Sequence, residues 1–237
     1  MSALSVQNLT AGYSNQPVLH DVSFDVDAQS VFALIGPNGH GKTTLLRCLS
    51  GLVPNKSGRI EFDGRAVEAL PVHERVELGL IHVPQGDQLF GEMSIEENLL
   101  MGAYLRDDAA EASRGLEEVY EFFPRLGERR NQLANSLSGG ERRMAGIGRG
   151  LMADGRFMMM DEPSLGLAPL LIEQIYEALT SLRQSGRTFL IIEENPVRIS
   201  EIADRIALMD GGQIVWSGPP GDLEAEEQLI QTYFGGH

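Results

Sequence analysis

The stretch Gly36-Pro-Asn-Gly-His-Gly41-Lys42-Thr43-Thr44 fits the pattern G-x-x-x-x-G-K-[ST], and its residue types suit the binding of a polyphosphate. Gly36, Gly39 and Gly41 let the backbone turn tightly and aim several N–H groups at one point. That concavity, added to the positive end of a following helix, makes an anion site. Lys42 is placed to reach the β- and γ-phosphates of a nucleoside triphosphate, and the Thr43 hydroxyl to hold Mg²⁺. The flanks agree: Val31 to Ile35 reads as a buried strand and Lys42 to Leu49 as a helix. Gly36, Pro37, Asn38, Gly39, His40, Gly41, Lys42, Thr43 and Thr44 form the candidate nucleotide-binding set. His40 occupies a position the pattern leaves free and is read as a solvated side chain.

A second constellation lies downstream. Phe157-Met-Met-Met-Asp161-Glu162-Pro163 is an apolar strand ending in two carboxylates. Two acids at a strand end can be solvated by chance, but with the upstream loop they complete a nucleotide hydrolase. Asp161 would hold Mg²⁺ through water, and Glu162 would orient and polarise the attacking water. Between the two lies Leu137-Ser-Gly-Gly-Glu141. Ser138 as N-cap with Glu141 three residues later is a capping box, the plain signature of a helix start. Two glycines in the first turn oppose a helix by about 1 kcal/mol each, and make sense where something must approach the backbone closely. A helix N-terminus with bare amides is a second phosphate site. Tyr13, in a turn before the phosphate-binding strand, is either ordinary core or a platform for a purine ring.

The elements that must position these groups follow from periodicity. Leu4 to Leu9 and Val22 to Val26 alternate as half-buried antiparallel strands do, and Ser57 to Gly64 is another short strand between turns. Pro71 to Leu78 predicts a helix, and Leu80 to Gln85 a short strand ended by Pro84. From Gly86 to about Asp154 the chain turns helical. Ser94 and Glu97 box the start of a helix carrying Leu99, Leu100 and Tyr104. Asp107 to Phe123 continues as a charged helix ending near Pro124, and Ile206 to Ser217 predicts a terminal hairpin. The expected fold is an α/β domain with a mainly parallel core sheet, an antiparallel N-terminal β-subdomain and an inserted helical subdomain.

Composition sets the outer bounds. The 237 residues carry a formal net charge of −15, which argues against a nucleic acid partner, since a phosphate backbone needs a basic face. No apolar run approaches the ~20 residues that span a bilayer, and the N-terminus lacks the regions of a signal peptide. The single Cys48 cannot form an internal disulfide and is expected to be a small core residue. The five histidines show no metal-ligand spacing.

GPNGHGKTT, then LSGGE about twenty residues before a strand ending in DEP, resemble the nucleotide-binding subunit of an ABC transporter, over essentially the whole chain. The resemblance implies a single P-loop cassette, with 1–85 and 155–237 as the nucleotide-binding core and 86–154 as the helical subdomain. It implies that Tyr13 stacks on adenine, and that Gln85 links Mg²⁺ and the attacking water to a membrane partner. It also implies that Ser138, Gly139, Gly140 and Glu141 touch the γ-phosphate on a second subunit, in a head-to-tail dimer with ATP at the interface. The catalytic set is then Glu162, Gln85 and Lys42, and the metal set Thr43, Gln85 and Asp161. The implied partners are transmembrane permease subunits, a second ATPase subunit and, indirectly, a periplasmic solute-binding protein. The implied place is the cytoplasmic face of the membrane.

Leu167 stands where an Asp is usual in the loop after the strand. The run Asp161-Glu-Pro-Ser-Leu-Gly-Leu-Ala-Pro169 is similar instead to the ATPases of branched-chain and hydrophobic amino acid importers. Ser94 to Gly102 and Phe189 to Asn195 resemble the same subfamily. Glu194 aligns with the usual switch histidine, which puts an anion where a γ-phosphate donor is expected. Three outcomes follow: Glu194 is protonated and donates, Asn195 takes the contact, or this site is slow and a partner's site drives transport. The expected function is ATP hydrolysis driving uptake of a branched-chain amino acid or a related amide. The alternatives are an exporter ATPase of the lipopolysaccharide type, with which LSGGERR is compatible, and a non-transport regulatory ABC protein.

Overall fold

The structure, a computed structural model, describes residues 2–13, 16–86, 88–106, 108–194 and 196–225. The antiparallel strands β1 (Ser2–Ala11) and β2 (Leu19–Asp27) open the chain, their apolar residues burying one face. β3 (Val31–Ile35) leads through the glycine-rich loop into helix α1 (Lys42–Leu49). β4 (Asn55–Phe62), β5 (Arg65–Ala66), α2 (Val72–Glu77) and β6 (Leu80–Val83) follow. A helical run comes next: α3 (Ile95–Leu100), α4 (Ala109–Phe122), α5 (Pro124–Glu128) and α6 (Gly139–Met152). The chain then returns to β7 (Phe157–Asp161), α7 (Pro169–Gln184), β8 (Thr188–Ile192) and α8 (Pro196–Ser200). It closes with β9 (Arg205–Asp210), β10 (Gln213–Gly218) and α9 (Pro220–Ala225).

One sheet is antiparallel, in the order β2-β1-β4-β5. The other runs β10-β9-β3-β8-β7-β6, parallel throughout except for the β9–β10 hairpin. Every residue of β3, β7 and β8 is buried, as expected of parallel strands covered on both faces. Their side chains alternate between two cores. Phe32, Leu34, Met159 and Leu190 pack with α1 and the antiparallel sheet. Ala33, Met158, Met160 and Ile191 pack with α7 and the helical run. Because these strands are parallel, their carboxyl ends share one edge, where ligands of such sheets bind. Arg187, just before β8, holds Glu118 of α4 with two hydrogen bonds of 2.7 and 2.9 Å, tying the helical run to the sheet.

Three local expectations shift. The helix opened by Ser94 ends at Leu100, passes through a 3₁₀ turn at Met101–Ala103, and leaves Tyr104 outside it, 82% exposed. Gly102 lies there because a Cβ would come within 2.0 Å of the Arg149 carbonyl oxygen. Pro124 does not merely end a helix but starts α5, in its first turn. Asp107, the expected start of α4, lies outside the described residues, and Asp108 is the N-cap. Among the described residues no helix is long and apolar enough to cross a membrane.

His82, on β6, is largely buried, and its Nε2 has no hydrogen-bond partner among the described residues. Burial, and then the charge of Arg47, push its pKa from 6.5 down to about 4. A depressed pKa means the unfolded chain takes up the proton first, so stability is full above about pH 6.5 and is lost as pH falls toward 4. At ~1.4 kcal/mol per pK unit, the loss is on the order of 3 kcal/mol. Urea unfolding across this range should show that slope, and His82→Asn should flatten it by about one proton. Equal slopes in both proteins would exclude His82 as the source.

Candidate functional site

The loop between β3 and α1 takes its shape from glycines where another residue would collide. Gly36 has φ +144°, and a Cβ there would sit 2.1 Å from the Met209 carbonyl oxygen. Gly41, the N-cap of α1 at φ +105°, brings no side chain to cap the helix, so the first amides face the loop's hollow. Lys42 is 4% exposed, and its Nζ donates to the carbonyls of Gly36 (2.7 Å) and Pro37 (3.0 Å). Burial lowers its pKa, opposed by the charges of Glu162, Glu194 and Asp161. Its donors are thus lent to the loop's own carbonyls and can transfer to a phosphate entering there.

The acids converge on the same hollow from the ends of β7 and β8. Asp161 is 2% exposed, and neither carboxylate oxygen has a well-formed hydrogen bond among the described residues, although the Thr43 hydroxyl stands beside it. Burial raises its pKa, with Thr43 and Lys42 pulling the other way. An orphaned, buried carboxylate next to a hydroxyl fits a hard divalent cation that takes oxygen ligands. No group of three or more His, Cys, Asp or Glu able to hold a metal exists among the described residues. Phosphate and water must then complete the shell, as they do for Mg²⁺.

Glu162 sits at φ +49°, a left-handed conformation unusual for a residue with a side chain. Its N–H donates to the Ile192 carbonyl at 3.0 Å, and its Oε2 accepts from Gln85 Nε2 at 2.6 Å. Burial first, then Glu194 and Asp161, raise its pKa. Glu194, two residues past the end of β8, accepts from the Asn38 amide of the loop. The structure therefore brings Asn38, Lys42, Thr43, Gln85, Asp161, Glu162 and Glu194 together. Asn195, the expected alternative to Glu194, lies outside the described residues.

The remaining candidates stand farther out. Tyr13 is 48% exposed, as a stacking platform needs, and its hydroxyl accepts from Arg47 of α1 at 3.1 Å. His40 is not simply solvated: its Nδ1 lies 2.6 Å from Asp210 Oδ1, because the β9–β10 turn passes directly over the loop. Ser138 caps α6 and Glu141 completes the box, its carboxylate also pairing with Arg129 at 2.8 Å. Of the two glycines, Gly139 faces open space, whereas a Cβ on Gly140 would meet Leu171 Cδ1 at 2.2 Å. The close approach inferred for both thus comes, at Gly140, from the chain's own α7.

The chain matches the ABC transporter family model over residues 19–165. It is 37% identical to the high-affinity branched-chain amino acid transport ATP-binding protein BraG of Pseudomonas aeruginosa, over 98% of this chain and 100% of that one. The lipopolysaccharide export system ATP-binding protein LptB of Haemophilus influenzae is 34% identical, over 99% and 98% of the two chains. Among solved structures, the ADP conformation of an ATP-binding cassette of an ABC transporter superposes with a TM-score of 0.86, covering all of both chains at 27% identity.

One positioning residue has no counterpart in the motifs. Arg75 of α2 is buried, and its guanidinium donates to the carbonyls of Cys48 (2.9 Å), Leu49 (2.7 Å), Leu70 (3.0 Å) and Glu68 (3.0 Å). The first two belong to the last turn of α1, so a cation closes the negative end of the helix whose positive end faces the loop. Arg75→Ala should take the guanidinium from these carbonyls, of which that of Cys48 keeps the Gly51 N–H at 3.0 Å, and lower stability by about 3 kcal/mol, read by urea unfolding. Arg75→Lys, with fewer donors, should fall between the two.

Proposed function

The chain belongs to the ABC transporter ATPases, and on that premise we propose that it binds ATP with Mg²⁺ and hydrolyses it to drive import of a branched-chain amino acid or a related amide. The observation that carries the catalytic part is the meeting of Lys42, Thr43, Asp161, Glu162 and Gln85 at one sheet edge. Mg²⁺, held by Thr43, Gln85 and, through water, Asp161, would offset phosphate charge. Lys42 exchanges its loop carbonyls for the β- and γ-phosphates, and the backbone N–H groups of the loop and of the first turn of α1 hold the remaining oxygens. Glu162 accepts a hydrogen bond from the attacking water and draws its proton away, while Gln85 keeps that carboxylate aimed. Tyr13 carries the base. Ser138, Gly139, Gly140 and Glu141 present the α6 N-terminus to nucleotide on a second subunit, Glu141 acting through its capping of Ser138 rather than as an anion against phosphate.

The core is 1–85 with 155–237, and the helical subdomain is 86–154. The subdomain meets the permease along the segment after Gln85. There Asn98, fully buried, holds both backbone groups of Phe90 (2.8 and 3.0 Å) and so presents an exposed aromatic ring. A second ATPase subunit, different from or identical to this chain, completes the dimer.

The run Asp161 to Pro169 and the likeness to the branched-chain amino acid transport protein support import. The 34% identity to a lipopolysaccharide export protein keeps the exporter as the second reading. Deleting the chain in its host and measuring uptake of labelled leucine separates them: loss of uptake, restored by the chain, supports import, and unchanged uptake with failing lipopolysaccharide export overturns it.

Glu162→Gln should keep ATP binding while slowing hydrolysis by about a hundredfold or more, trapping a closed dimer. Turnover near wild type would remove Glu162 from this role. Glu194 bears on rate differently. Its carboxylate faces Glu162 and the phosphate position, where like charges oppose both the ligand and an ionised base. Glu194→Gln or Glu194→His should therefore leave ATP binding intact and raise turnover at this site, measured with the partner's own base removed. A fall with both substitutions would make Glu194 a working part of hydrolysis.

A further inference from the structure

We propose that Glu193 is a positioning residue for hydrolysis: its buried carboxylate clamps Ser164 and so holds the loop that carries Glu162 in its working shape. Glu193 follows β8 and is 4% exposed. Its Oε1 accepts the Ser164 N–H at 3.1 Å and its Oε2 the Ser164 hydroxyl at 2.8 Å. The Tyr176 hydroxyl of α7 stands beside the same carboxylate. Glu193 is itself anchored, its N–H donating to the Leu34 carbonyl of β3 at 3.2 Å, two residues before Gly36.

What this clamp holds is a strained backbone. A non-glycine residue in the left-handed region costs about 1–2 kcal/mol, and such a conformation persists only where its surroundings over-determine it. Glu162 at φ +49° is fixed on one side by the β7 ladder and by its own N–H on Ile192. On the other side, two residues on, the side-chain anchor is the Ser164–Glu193 pair. Without that pair, and beyond Glu162 itself, the turn to Leu167 rests, among the described residues, on its own 3.3 Å backbone bonds, Leu165 to Glu162 and Leu167 to Ser164. Relaxation of φ at Glu162 would swing the carboxylate away from Gln85. Misplacement of a reacting group by about 1 Å can cost a hundredfold in rate, with binding untouched.

The inference rests on Glu162 as the water-orienting group, and the test reads the loop and the chemistry separately. In the full chain assembled with its partner subunits, Glu193→Ala should lower kcat by about tenfold or more while the affinity for ATP stays within about threefold. Hydrogen exchange at the Ser164 and Leu165 amides should quicken, with the amides of α1 unchanged. Glu193→Gln should recover most of the rate, since its carbonyl accepts the Ser164 N–H and its NH₂ donates to hydroxyls free to rotate. Ser164→Ala, a mild change on a loop, carries the same test if Glu193→Ala does not fold, with a several-fold drop in kcat at unchanged affinity. Wild-type kcat in either variant, ATP affinity falling in step with kcat, or a Glu193→Gln as slow as the alanine variant would overturn the proposal. Faster exchange at Ser164 with unchanged kcat would overturn it too, leaving Glu193 as a fastener of the loop alone.

Discussion

Three carboxylates crowd the edge of a sheet that must receive a polyphosphate, and much of the local structure answers that repulsion. Burial, and then the charges of Glu194 and Asp161, raise the pKa of Glu162, while burial alone raises that of Asp161. Each has a specific answer. Lys42 sits among them as a buried cation, the Gln85 amide meets Glu162, and the Asn38 amide meets Glu194. Among the described residues Asp161 is the one of the three without a settled donor, so it is the group with most to gain from a divalent cation. The N-terminus of α1, whose N-cap Gly41 has no side chain to cap it, adds a positive dipole end. The hollow is thus poised for a ligand that brings its own cation.

Parallel pairing makes this convergence possible. β3, β7 and β8 run the same way, so Gly36, Asp161 and Glu193 emerge at one edge though the chain separates them widely. The alternation of their side chains feeds two cores, one shared with α1 and the antiparallel sheet, the other with α7 and the helical run. Both faces of the strands are thereby packed, and their ends have little freedom to drift. That rigidity matters most at Glu162, whose backbone is strained and whose carboxylate has to be aimed.

What could be read from the sequence was what is local. The phosphate loop, the acids closing β7 and the capping boxes of α3 and α6 are each written within a few consecutive residues, and their residue types have one main physical use there. What escaped depends on pairs far apart in the chain. Arg75 on Cys48, Glu193 on Ser164 and His40 against Asp210 are contacts that no periodicity announces. Arginine and glutamate are mostly exposed in proteins, so their burial at 75 and 193 runs against the prior that residue type supplies. Tyr104 failed for a different reason. The capping box marks where the helix starts and not where it stops, and the chain tightens into a 3₁₀ turn at Met101–Ala103, where Gly102 lies close against α6.

The two glycines that open α6 divide their work in a way composition alone could not resolve. Gly140 lies against the tip of the Leu171 side chain of α7, which brings the start of α6 close to the helix that follows the Ser164 loop. Gly139 is small where nothing presses, which leaves the first amides of α6 uncovered. An exposed glycine in a helix's first turn weakens that helix by about 1 kcal/mol relative to alanine. The capping box of Ser138 and Glu141, braced by Arg129, offsets that weakness from within the lobe. The N-terminus of α6 is therefore held firmly by its own chain while staying bare on its outer side. A surface of that kind is complete as structure and incomplete as a binding site, and a group carried by another molecule would find its backbone amides already ordered.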